Sequence, residues 1–136
     1  MPKKITRFTK ARLRVKLGDV RTLKRDPSNR IKEAYVSGSN AKLYNVIIRR
    51  SGQRITAECQ LDCGHGFTRC PGSLQAVCYH SLAVLLQSCQ DQGLSASLCG
   101  SEDHANKRAR IGGTVYKVYS HFRKDRPVYL VVNPAS

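Results

Sequence analysis

Cys78-Tyr79-His80 stands directly before an apolar run, Ser81-Leu82-Ala83-Val84-Leu85-Leu86. A thiol and an imidazole two residues apart at a helix start can hold one metal ion between them. Two further thiols, Cys59 and Cys63, lie upstream at the end of a strand-like segment. Zinc ligands come in close pairs because each pair shares one loop and the second pair closes the tetrahedron. Cys59, Cys63, Cys78 and His80 are therefore the expected ligands of a closed zinc site. Such a site builds a fold and leaves no open position for chemistry. Cys70 is a rival for either upstream ligand, and His65 a weaker one. Cys89 falls on the apolar helix face and reads as core; Cys99 has no assigned role.

The charge separates into blocks. The chain has 136 residues, with Lys+Arg 24 against Asp+Glu 9, net +15. Residues 1–32 hold 12 basic and 2 acidic residues, net +10, and residues 107–136 hold 7 and 1, net +6. Residues 59–106, which carry all the cysteines, hold 1 and 4, net −3. Zinc with three thiolates and a neutral imidazole adds 2 − 3 = −1. The metal centre is thus no phosphate magnet, and polyanion contact is expected from the basic ends. The expected contacts are Arg7, Lys10, Arg12, Arg14, Lys16 and Arg21, then Lys107, Arg108, Arg110, Arg123, Lys124 and Arg126. Tyr116, Tyr119, His121 and Tyr129 interleave with the last group and could stack on unpaired bases, but strand packing is the better account of the tyrosines. Nothing predicts base-specific readout, since phosphate contacts position a protein without reading sequence.

Local signals place the elements. Residues 8–17 read as a basic helix with Phe8, Leu13 and Leu17 on one face and Gly18 past its end. Like charges at i,i+4 (Lys10 with Arg14, Arg12 with Lys16) weaken such a helix. Strands are expected at 34–36, 43–48 and 54–59, with turns at 37–40 and 50–53. Residues 64–77 read as a Gly/Pro loop. A helix follows from Tyr79 to about Gln90, burying Leu82, Leu85, Leu86 and Cys89, with Gly93 as its stop. Residues 114–119 and 127–132 read as a hairpin around Arg123-Lys124-Asp125-Arg126, and residues 94–113 as a basic linker or short helix.

Gly18-Asp19-Val20, Val36-x-Gly38-Ser39, Tyr44-x-Val46, a hairpin strand into cysteines, then Cys78-x-His80-Ser-Leu-Ala-Val-Leu-Leu: this order resembles the SWIM zinc finger over residues 9–91. The family pattern is Cys-x-Cys, a spacer, then Cys-x-His before an apolar helix. Leu61 stands where the second Cys would fall, so the first pair departs from it. The resemblance implies zinc at Cys78 and His80 and a ββα core that binds DNA or proteins.

The expected fold is α+β: a small zinc-stabilised ββα core at 33–93, a basic N-terminal arm and helix at 1–32, the linker at 94–113 and a C-terminal β-hairpin at 114–136. The expected function is zinc-dependent, non-catalytic nucleic-acid binding, DNA or RNA, as an accessory subunit in a nucleoprotein complex. The alternative is an adaptor whose zinc module docks a protein partner. No paired-carboxylate or nucleophile motif points to an enzyme. No stretch has the length of a membrane span, no secretory signal opens the chain, and free thiols fit a reducing intracellular compartment.

Overall fold

Local chemistry accounts for both helices. In a computed structural model, which describes residues 7–37, 42–62, 67–69, 78–99, 107–123 and 126–134, helix α1 spans Arg7–Lys16 and helix α2 spans Tyr79–Asp91. The first ends as its sequence demands: Gly18 adopts φ +72°, and Asp19 N–H donates to Arg14 C=O at 2.9 Å. Glycine takes that left-handed conformation without the steric cost that a Cβ brings. The face of α1 differs from expectation. Ala11 is fully buried and Val15 packs on the core, while Leu13 and Leu17 are exposed. Helix α1 lies against α2, and a small residue at the contact lets the two axes come close.

Helix α2 is buried on most of its circumference, from His80 through Leu85 and again at Ser88. It is enclosed by α1 and by a sheet, which is why Leu82, Ala83, Val84 and Leu85 are apolar and buried in succession. Leu82 and Leu85 are buried as the spacing predicts, and Cys89 is half-buried.

The strands are β1 (Val20–Arg25), β2 (Ile31–Ser37), β3 (Leu43–Ser51), β4 (Arg54–Asp62), β5 (Phe67–Arg69), β6 (Ala96–Cys99), β7 (Lys107–Ile111), β8 (Thr114–Arg123) and β9 (Arg126–Pro134). They form one antiparallel sheet in the order β1-β2-β3-β4-β9-β8-β7-β6, with β5 attached to β4. The β3–β4 turn is the expected two-residue hairpin, Gly52-Gln53, with Gly52 at φ +60°. Of the turn expected at 37–40, residues 38–40 lie outside the described residues.

This architecture overturns the expected small ββα core with a separate C-terminal hairpin. Strands β8 and β9 do pair with each other, but β9 also pairs with β4 through Ile55↔Val132 to Glu58↔Tyr129. The hairpin thus extends the sheet that begins at β1. Residues 96–99 and 107–111 are strands rather than linker or helix, and 67–69 is a strand within the expected loop. Lys107-Arg-Ala-Arg-Ile111 hides its strand character because its buried position, Ala109, is a poor β-former.

The core joins both parts of the sheet. Val36, Val46, Ala57, Val84 and Val132 are among its buried members, with Ala109 and Val118 from the far strands. Each fully buried valine contributes about 1.5–3 kcal/mol. A polar tie adds direction: Ile31 N–H donates to the buried Ser88 Oγ at 3.2 Å, joining β2 to α2. Replacing Ser88 by Ala strands that N–H away from water. The expected cost is about 1–3 kcal/mol, measurable by urea denaturation; an unchanged midpoint would refute the tie.

Candidate metal centre

Strand β4 sends Cys59 towards the helices. Alternation puts Ala57, Cys59 and Leu61 on one face, opposite Ile48, Val46 and Tyr44 of β3. Cys59 also sits where β4 changes its neighbour: Glu58 pairs with Tyr129 of β9, and Gln60 with Arg69 of β5. Cys78 is the extended residue that opens α2, with φ −70° and ψ 124°. His80 follows in the first turn. All three are buried, at 2–3% exposure.

Their ligand atoms converge, all within 4.8 Å of one another. His80 Nδ1 lies 3.5 Å from Cys78 Sγ and 3.7 Å from Cys59 Sγ. An imidazole nitrogen carries one lone pair or one proton, so it makes one good hydrogen bond, not two. A shared cation uses all three atoms. With zinc–sulfur bonds near 2.3 Å and zinc–nitrogen bonds near 2.05 Å, a tetrahedral angle puts sulfur and nitrogen about 3.5 Å apart. The observed spacings match that edge, so this group could bind a metal ion.

Rings fix the imidazole. Tyr44 stacks on His80 at 3.7 Å between centroids with 18° between planes. Tyr79 covers it at 4.0 Å and 39°, and Lys10 Nζ lies 5.6 Å from the Tyr79 centroid. Neither tyrosine was singled out from sequence as part of the site. Tyr44 becomes legible only once its register opposite Leu61, two residues from Cys59, is known.

Of the expected metal ligands, Cys59, Cys78 and His80 come together. Cys63 lies outside the described residues, as do its rivals Cys70 and His65. The expected nucleic-acid contacts are dispersed. Arg12 donates to Ala96 C=O at 2.7 Å and Arg14 pairs with Asp19 at 2.9 Å, so both hold α1 in place. Lys16 and Arg21 are exposed, and Arg7 belongs to α1. Lys107, Arg108 and Arg110 lie on β7. Arg123 and Arg126 pair at the end of the β8–β9 ladder, and Lys124 is outside the described residues.

Sequence reasoning missed Lys117. It sits on β8 directly opposite Arg108, and Arg110 lies two residues along β7 on the same face. All three are exposed. Their other register partners are Cys99, Ser97, Val115 and Asn133, none of them acidic.

Compared with family models, curated proteins and solved structures, the chain matches none. None of these comparisons adds support to the SWIM resemblance of residues 9–91. Among the described residues, no helix is long and apolar enough to cross a membrane.

Proposed function

We propose that this chain is a non-catalytic nucleic-acid-binding protein whose fold is held by a structural zinc ion. Cys59, Cys78 and His80 supply three ligands, and a further thiolate completes a closed set. Two thiols compete for that place. Cys63 is preferred over Cys70 for its close spacing from Cys59, since zinc ligands come in near pairs. Zinc would supply folding free energy and no reaction step.

The observation that carries the binding role is the Arg108, Arg110 and Lys117 group. Like charges directly across a sheet are destabilising, and an anionic backbone laid over β7 and β8 relieves them. Net charge +15 adds a long-range attraction of the same sign. The role is tested by fluorescence anisotropy on labelled single-stranded and duplex oligonucleotides over a salt series. Binding should weaken with a log–log slope near −0.7 per phosphate on single strands and −0.9 on duplex DNA. Arg108→Glu with Lys117→Glu should weaken low-salt binding at least about tenfold and flatten the slope by about two phosphates. An unchanged slope refutes this surface; partner capture that survives nuclease would turn the reading towards a protein adaptor.

A further inference from the structure

The turn between β1 and β2 borders a second charged site, which neither the zinc nor the β7–β8 surface uses. A cavity of about 410 Å³ is lined there by Asp26, Arg30, Lys32, Ile48, Arg49 and Arg50. One carboxylate, Asp26, serves two of these four cations, Arg30 and Arg50. Asp26 Oδ1 accepts from Ser28 N–H at 3.0 Å and Arg30 N–H at 2.9 Å. Its Oδ2 accepts from Arg30 Nε at 2.9 Å and lies 3.9 Å from Arg50 Nη1. Arg49 has its own partner, Glu58, at 2.9 Å. Lys32 is exposed, and its side chain has no ion pair or hydrogen bond among the described residues.

The charges do not balance. Arg30, Lys32 and Arg50 against Asp26 leave 3 − 1 = +2. Arg50 is the most buried of these cations, with a side chain only 13% exposed and one hydrogen bond to Ile31 C=O at 3.0 Å. Burial and then the neighbouring Arg30 charge lower its proton affinity; Asp26 and Cys89 oppose that shift. Burial raises the Asp26 carboxyl, yet hydrogen bonds from Arg30 and the charges of Arg30 and Arg50 hold it below the usual range.

The walls are braced. Arg25 donates to Asn29 C=O and pairs with Asp91 of α2, both at 2.9 Å. Gln92 Nε2 donates to Ser28 C=O at 3.3 Å. Turn and helix end are thus tied together before any ligand arrives, which cuts the ordering cost of binding.

We propose that this cavity binds a phosphoryl group, with Arg50 and Lys32 as its principal donors. A guanidinium fork and a mobile ammonium suit a tetrahedral oxyanion, and charge-assisted hydrogen bonds to it are short and strong. The group comes either from a free phosphate compound or from a nucleic-acid backbone. The site stands independently of the zinc and β7–β8 readings.

Titration calorimetry with pyrophosphate, against sodium chloride of equal ionic strength, tests it on the full chain. Saturable binding at one site per chain is expected. Lys32→Met, an exposed change that leaves the fold intact, should weaken it about tenfold, the loss of one charge-assisted hydrogen bond. Arg50→Met should abolish it, and the exposed Arg54→Met, outside the cavity, should leave it unchanged. Competition by a single-stranded oligonucleotide that Lys32→Met relieves identifies the backbone as the source; its failure to compete identifies a free phosphate compound. No heat beyond the chloride control, or equal binding by Lys32→Met and Arg54→Met, overturns the site.

Discussion

The purified chain will carry one zinc ion, and Cys78→Ala or His80→Ala will lose both the metal and the cooperative fold. Structural zinc in small sites contributes about 10–16 kcal/mol apparent at neutral pH. Whole domains are stable by about 5–15 kcal/mol. Removing such an ion therefore removes most of the margin. Cys59 and Cys78 are also core residues at 2–3% exposure, so an ion lost from between them leaves two thiols and an imidazole in an apolar layer. Metal analysis, with circular dichroism before and after chelation, makes the check. Cys63→Ala should release zinc and Cys70→Ala should retain it. Cys89→Ala should also retain it, because Cys89 is eleven residues along α2 from Cys78, about 16 Å of helix. Metal affinity should fall as pH falls, since thiolates and neutral imidazole must be deprotonated to bind. Native folding in excess chelator would refute the centre.

Tyr44→Ala will cost about 3–5 kcal/mol, the range for removing a buried aromatic ring. The ring is 4% exposed and lies flat on His80. Its loss opens a cavity beside a ligand and frees the imidazole to tilt, so zinc should leave faster in a chelator-competition assay. Tyr44→Phe keeps the ring and should cost about 1 kcal/mol with near-normal zinc release. Val132→Ala separates the two effects: it thins the same core from β9, where Val132 pairs with Ile55 and Val118 rather than with Tyr44. If Val132→Ala and Tyr44→Ala release zinc at equal rates, the stacking has no positioning role.

Much of the chain was legible where the signal is local. The apolar run after His80, the Gly52-Gln53 turn and the Gly18 helix end each depend on a few neighbouring residues. Cys78 and His80 were legible for the same reason, being two residues apart on one helix start. Other features depend on partners distant in sequence. Leu13 and Leu17 resemble a buried face, but the contact with α2 favours Ala11 and Val15, where the smaller side chain decides the approach. Lys117 looked like any strand cation until Arg108 was found across from it. The β4–β9 pairing joins segments with no shared local pattern, because backbone hydrogen bonds carry no sequence label. That pairing turned an expected small core and separate hairpin into one sheet.

A ribosome making this chain completes β4 long before its later neighbour. Ile55 pairs with Val132, 77 residues downstream. At about 5–20 residues per second, residues 55–58 of β4 wait roughly 4–15 s for that partner. Throughout that interval they offer a bare row of amides and carbonyls, the kind of edge that recruits strands from other chains. Strand β9 thus closes the centre of the sheet rather than its rim. Truncation before β9 should accordingly produce inclusion bodies rather than a shorter folded protein.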